Sequence, residues 1–90
     1  MAFNGYAQDA DTPPNTELSP EQTQAARMDA LAVLIKRQQY PQAYELASRM
    51  LAQNEGLPKF DFQYGMAAVE SGHYDQALFA FERLVLSFPN

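Results

Sequence analysis

Apolar residues recur three and four positions apart in four separate segments of the chain, with polar residues between them. These segments read AARMDALAVLIKRQQ, PQAYELASRMLAQN, KFDFQYGMAAVES and DQALFAFERLVLSF. Because an α-helix has about 3.6 residues per turn, this spacing places the apolar side chains of each segment on one face. The pattern predicts four amphipathic helices. Their connections are short, so consecutive helices are expected to be antiparallel.

Residues with cap and break chemistry delimit the predicted helices. Ser19 suits the N-cap of the first helix, Pro20 its first position, and Gln22 the third position of a capping box. Gly56 is expected to end the second helix, because glycine adopts the left-handed conformation of a C-terminal cap at little cost. Asp75 is expected to cap the fourth helix.

The segment before Ser19, MAFNGYAQDADTPPNTEL, shows no periodicity and carries three acidic residues and no basic one. We predict that residues 1–18 are a disordered acidic tail. Small residues at Gly5 and Ala7, before Gln8, resemble the end of a secretory signal peptide, although the basic start and apolar core of such a signal are absent.

A repeat of 34 residues relates the first two helices to the last two. The stretch QQYPQAYELASRML lies over GHYDQALFAFERLV without a gap. Equivalent pairs include Tyr40 with Tyr74, Ala43 with Ala77, Met50 with Leu84 and Leu51 with Val85. A helix-turn-helix unit of this length is the period of the tetratricopeptide repeat, which the chain therefore resembles.

The second unit, residues 58–90, resembles that family closely. Its matching residues are Tyr64 and Gly65 in the first helix, Gly72, His73 and Tyr74 in the turn, Ala77 and Phe81 in the second helix, and the closing Pro89. Two positions depart from the family pattern, with Asp61 at the usual tryptophan and Leu84 at a usual small residue. The resemblance implies an all-α fold for residues 19–90, in which two antiparallel helix-turn-helix units form a short right-handed solenoid.

The first unit, residues 24–57, matches the family less well. It retains Tyr40 and Ala43, but Leu31 stands where a small residue is expected and Ala47 where an aromatic residue is expected. A large residue on one helix fills the space left by a small residue on its partner. We therefore hypothesise that the two departures compensate each other, which requires Leu31 to be buried.

The residues give no support to catalytic, metal or cofactor chemistry. The chain has no cysteine and a single histidine, His73, which lies in a turn and is interpreted as a solvated connector. It contains no nucleophile elbow and no glycine-rich phosphate loop. A net charge of −5 with six scattered cations does not suit nucleic-acid binding, and no apolar run is long enough to span a membrane. We predict a non-enzymatic protein that uses no cofactor.

Partner-binding residues follow from the resemblance. In tetratricopeptide arrays the first helix of each unit lines a groove, and its fifth, ninth and twelfth places face the ligand. Those places are held by Met28, Ala32, Ile35, Phe62, Met66 and Val69. None is charged, which argues against a clamp for a terminal carboxylate and favours a protein-interaction module for an apolar peptide or helix. The alternative is structural, with the same stripe buried against the tail, another protomer or further repeats.

The last helix is apolar on more than one side. Phe79 and Phe88 add to the stripe formed by Ala77, Phe81 and Leu84. Repeat arrays usually close with a polar helix and commonly need about three units for stability. The sequence therefore predicts that this end is covered, either in a homo-oligomer or by further repeats of a longer protein.

The second unit also resembles repeats that precede outer-membrane β-barrels in bacterial export and surface-assembly proteins. That resemblance and the signal-like tail imply a periplasmic location, with a cytoplasmic location as the alternative.

Overall fold

The computed structural model describes residues 19–88, and these residues form four α-helices. The helices are α1 (Pro20–Lys36), α2 (Tyr40–Asn54), α3 (Pro58–Glu70) and α4 (Tyr74–Ser87). Consecutive helices pack against each other, and α1 also contacts α3. The predicted all-α fold of two helix-turn-helix units is confirmed. The predicted disordered tail with its signal-like stretch lies outside the described residues, as does Pro89.

The predicted capping box is present at the start of α1. Ser19 Oγ accepts a hydrogen bond from the backbone N–H of Gln22 at 3.1 Å, and Gln22 Oε1 accepts one from the backbone N–H of Ser19 at 2.9 Å. Pro20 occupies the first turn, where its missing N–H leaves no further donor unsatisfied. Local chemistry is therefore sufficient to determine this boundary.

The start of α4 differs from the prediction. His73 is the N-cap instead of Asp75, and its side chain makes no capping hydrogen bond. Asp75 lies in the first turn, where a carboxylate interacts favourably with the positive end of the helix dipole. Gln39, the equivalent of His73 in the first unit, is likewise an N-cap without a side-chain hydrogen bond. The prediction that Asp75 caps α4 was therefore wrong. Both α2 and α4 begin at the tyrosine that the two units share, and the residue just before that tyrosine is the N-cap.

Three turn residues adopt the left-handed backbone conformation. Their φ angles are +92° at Gly56, +82° at Gly72 and +59° at Gln38. Gly56 ends α2 as predicted, and glycine carries no steric penalty at such a position. Gln38 occupies in the α1–α2 turn the place that Gly72 occupies in the α3–α4 turn. Its Cβ makes the conformation unfavourable by about 1–2 kcal/mol.

Replacement of Gln38 by glycine is expected to raise the free energy of unfolding by about 0.5–1 kcal/mol. Relief of the left-handed strain outweighs the extra backbone entropy that glycine loses on folding, and the exposed glutamine side chain gives up little packing. Urea denaturation followed by circular dichroism measures the change. The matched control, Gly72→Gln, introduces the same strain in the equivalent turn and should lower stability by about 1 kcal/mol. A less stable Gln38→Gly variant would contradict the explanation.

The core lies between α1, α2 and α3, and α4 contributes one alanine to it. Its buried apolar residues are Leu31, Ala43, Ala47, Met50, Phe60, Tyr64, Ala67 and Ala80. Half of them are alanines, which allow the helix axes to approach closely.

Each unit has one close crossing between its two helices. In the second unit the small residue is on the first helix and the large residue on the second, and in the first unit this order is reversed. A Cβ added to Gly65 would lie 2.5 Å from Phe81 Cε1, so the glycine on α3 leaves the space that the phenylalanine on α4 fills. At the equivalent crossing of the first unit, Leu31 on α1 and Ala47 on α2 are both fully buried in the same core. The burial of Leu31 agrees with the compensation hypothesised from the sequence.

A buried amide joins the start of α1 to the end of α2. Asn54 is completely buried, and its Nδ2 donates to the backbone carbonyl of Met50 at 2.7 Å. Its Oδ1 accepts a hydrogen bond from Gln24 Nε2. Because a buried amide without partners is strongly unfavourable, these hydrogen bonds help to define how the two helices pair. Within the described range, none of the helices is long and apolar enough to cross a bilayer.

Candidate protein-interaction surface

Three of the predicted partner-binding residues form a continuous stripe on the outer face of α3. Phe62 is 49% exposed and Val69 is 40% exposed, with the half-buried Met66 between them. They are spaced four and three residues apart, so they lie on one side of the helix. We call these three residues the α3 stripe. It presents an aromatic ring, a thioether and a branched aliphatic group without a charge.

The three predicted residues on α1 are less accessible. Met28 and Ile35 are partly buried and pack against the core, and Ala32 is half-buried. Most of their apolar surface is therefore used in holding α1 to the other helices. The α3 stripe therefore contains the most exposed residues of the predicted set, Phe62 and Val69.

A second apolar surface lies on α4, at the end of the chain that the sequence predicted to be covered. It forms an open groove of about 510 Å³ lined by Leu78, Phe81, Glu82, Val85 and Leu86. Leu78, Val85 and Leu86 are 55%, 66% and 78% exposed. Except for Glu82 its lining is apolar, so burial of this groove by another protein would be favourable.

A buried ion pair connects α3, α4 and the α2–α3 turn, and sequence reasoning missed it. Asp61 is completely buried, and its Oδ1 accepts a hydrogen bond from Arg83 Nε at 3.1 Å. Arg83 Nη2 lies 3.1 Å from the same oxygen without the alignment of a hydrogen bond. The other oxygen, Oδ2, accepts from the backbone N–H of Gly56 at 2.9 Å. The departure at Asp61 from the family pattern was the available signal, and its partner lies 22 residues away.

An aromatic stack runs from the core to the surface. Phe60 stacks on Tyr64, and Tyr64 on Tyr44, with ring centroids 5.7 Å apart in each pair. His73 then stacks on Tyr44 with its ring centroid at 3.8 Å and nearly parallel. Burial raises the pKa of Tyr64, and the neighbouring Tyr44 raises it further. His73 is exposed, as a solvated connector should be, but it also closes the outer end of this stack.

The fold, the repeat and the closely packed crossings define a helical repeat protein. The model of the tetratricopeptide repeat family matches residues 34–90, more than half of the chain. The chain belongs to the tetratricopeptide repeat family. No curated protein and no solved structure matches it significantly.

Tetratricopeptide repeats are generally modules for protein–protein interaction, and this general function applies to the chain. In residues 19–88 no group of three or more histidine, cysteine, aspartate or glutamate side chains is placed to hold a metal ion.

Proposed function

We propose that this module binds an apolar peptide or helix of a partner protein along the α3 stripe. Phe62 carries the proposal, because this phenylalanine is 49% exposed on a helix whose other two aromatic residues, Phe60 and Tyr64, are buried. Burial of exposed apolar area is favourable by about 25 cal/mol per Å². Aromatic side chains at the centre of an interface commonly contribute most of its binding energy.

The length of the α3 stripe and the charges at its two ends indicate what kind of ligand would fit it. From Phe62 to Val69 the stripe extends about 10 Å, since a helix rises about 1.5 Å per residue. This length matches about two turns of an amphipathic helix with apolar residues three and four positions apart. Exposed Lys59 and Glu70 lie beyond its two ends. They favour a ligand with an acidic group near Lys59 and a basic group near Glu70, which would orient it along the helix.

The α1 residues are proposed to form the border of the binding surface. Met28, Ala32 and Ile35 each retain some accessible area beside their core contacts, and α1 contacts α3. Their contribution is expected to be smaller than that of Phe62, because less of each side chain is left to bury.

Capture of partner proteins by the wild type and by Phe62→Glu tests this proposal. The substitution places a carboxylate in the centre of the stripe and is expected to weaken specific capture at least about 10-fold. Phe79→Glu is the matched control, because Phe79 is a phenylalanine of similar exposure, 57%, on α4. Capture lost in Phe62→Glu and retained in Phe79→Glu supports the proposal. Capture that Phe62→Glu leaves unchanged would rule out the α3 stripe.

The structural alternative predicts a different result for the same variant. If another copy of the chain covers the α3 stripe, Phe62→Glu should change the sedimentation coefficient of the purified protein. The proposed function expects that coefficient to stay the same.

A further inference from the structure

The exposed apolar side chains of α4 form one stripe that continues the pattern of the repeat. Tyr74, Leu78 and Val85 are 68%, 55% and 66% exposed, and the half-buried Phe81 lies between them. They are spaced four, three and four residues apart and therefore line one side of the helix. We call these four residues the α4 stripe. Three of its four side chains are more than half exposed.

The equivalent stripe on α2 is covered, and α3 is one of the elements that cover it. The residues 34 positions earlier are Tyr40, Tyr44, Ala47 and Leu51, all of them buried or half-buried. Tyr44 stacks on Tyr64 of α3, and Ala47 shares the core with Phe60 and Tyr64. The contact between α2 and α3 inside the chain thus shows what kind of element fits the α4 stripe. It is a helix in the place of α3.

The chain itself contains such a helix with a free face. On α3 the residues that share the core with α2 include Phe60, Tyr64 and Ala67. Their equivalents on α1, 34 positions earlier, are Ala26, Ala30 and Val33, and all three are exposed, Val33 to 44%. We call these three residues the α1 face. Its side chains are small where those of the α4 stripe are large, as at the Leu31–Ala47 and Gly65–Phe81 crossings.

The charges beside the two faces are also complementary. Pro41 and Ser71 line one groove where α2 meets the α3–α4 turn. Their equivalents are Asp75 at the start of α4 and Arg37 at the end of α1. If α1 of a second copy took the place of α3, Arg37 would line the same groove as Asp75 of the first copy. Opposite charges at the border of an interface favour this register over its alternatives.

We propose that copies of this chain associate head to tail, with the α4 stripe of one copy covered by the α1 face of the next. In the register of the repeat, Leu78 contacts Ala30 of the second copy. The contact joins two different surfaces and leaves one of each free, so it extends into an open array instead of closing as a dimer. This interaction goes beyond the proposed function, because it leaves the α3 stripe free for a partner.

Sedimentation of the full chain over a range of concentrations tests the proposal. From about 10 µM to about 1 mM, the range in which small interfaces associate, the weight-average mass is expected to rise beyond that of a dimer without a plateau. Leu78→Glu blocks the α4 stripe and Ala30→Glu blocks the α1 face. Each variant alone is expected to stay monomeric. Both positions are exposed, so the helical circular dichroism signal should remain at the wild-type level.

Mixing the two blocked variants gives the decisive result, because each keeps the surface that the other lacks. An equimolar mixture is expected to form a dimer of one copy of each variant. If Ala30→Glu still self-associates, α4 pairs with α4 and the proposal is overturned. A wild-type chain that stays monomeric at every concentration also overturns it, as it would if residues 1–18 covered the α4 stripe. Phe62→Glu is the control and should associate like the wild type.

Discussion

Substitution of Gly65 by leucine is expected to lower the free energy of unfolding by about 2–3 kcal/mol. A Cβ at this position would lie 2.5 Å from the ring of Phe81, closer than real Cβ contacts allow, and Gly65 is buried, so leucine would have to displace the ring. The helix preference of leucine over glycine offsets only about 1 kcal/mol of this cost. Chemical denaturation monitored by circular dichroism measures the loss.

The arrangement of large and small residues in the first unit indicates a second substitution that should restore stability to Gly65→Leu. Phe81→Ala alone is expected to lower the free energy of unfolding by about 2–3 kcal/mol, less than for a fully buried phenylalanine because Phe81 is half-buried. The double variant Gly65→Leu/Phe81→Ala recreates the Leu31–Ala47 arrangement on α3 and α4. It should be more stable than the sum of the single variants predicts, by at least about 1 kcal/mol. Gly65→Leu combined with Leu86→Ala, on the exposed side of α4, is the control and should show additive effects. Additivity in the repaired pair would contradict the explanation.

Substitution of one member of the Asp61–Arg83 ion pair is also expected to lower the free energy of unfolding strongly. Arg83→Met leaves the carboxylate of Asp61 completely buried beside one backbone N–H, and should lower the free energy of unfolding by about 3–5 kcal/mol. Asp61→Asn is expected to cost less, about 2–3 kcal/mol, because the Arg83 side chain is 25% exposed and water solvates part of its charge. Urea denaturation at neutral pH measures both losses.

A double variant that removes both charges distinguishes two contributions to the free energy of unfolding. One is the destabilisation caused by an unpaired buried charge, and the other is the net stabilisation by the ion pair. Asp61→Leu/Arg83→Met is expected to recover at least half of the stability that Arg83→Met loses, since well-packed apolar residues often replace a buried ion pair at little cost. Glu82→Gln removes an exposed charge from the same helix and should change stability by less than about 0.5 kcal/mol. If Arg83→Met had an effect as small as this control, the ion pair would not hold α3 to α4.

The first helix boundary was predictable from the sequence because it depends on neighbouring residues alone, whereas the start of α4 was not. The capping box needs only Ser19, Pro20 and Gln22, and the structure has it as predicted. Asp75 also has good local cap chemistry, but α4 begins one residue before it at Tyr74, as α2 begins at Tyr40. Asp75 therefore lies in the first turn of α4 without capping it.

The buried ion pair is an example of a contact that the pattern of apolar and polar residues did not predict. The sequence showed Asp61 as a departure from the family, but pairing it with Arg83 requires knowing which faces of α3 and α4 meet. The stack of His73 on Tyr44 likewise joins a turn to a helix 29 residues earlier. Among the predicted partner-binding residues, Phe62 and Met28 hold equivalent places in their units. Only the packing of the helices shows that Phe62 is about half exposed while Met28 lies against the core.

The reversed order of large and small residues at the two crossings has a consequence for the fidelity of folding. Because the two units have similar lengths and patterns, the chain could misfold, with the first helix of one unit paired with the second helix of the other. In one such mispairing Leu31 would meet Phe81, and two large side chains would occupy one space. In the other Gly65 would meet Ala47 and leave a void. The crossing within a unit therefore accepts only its own two helices, so the two halves, although alike in sequence, are not interchangeable at this crossing during folding.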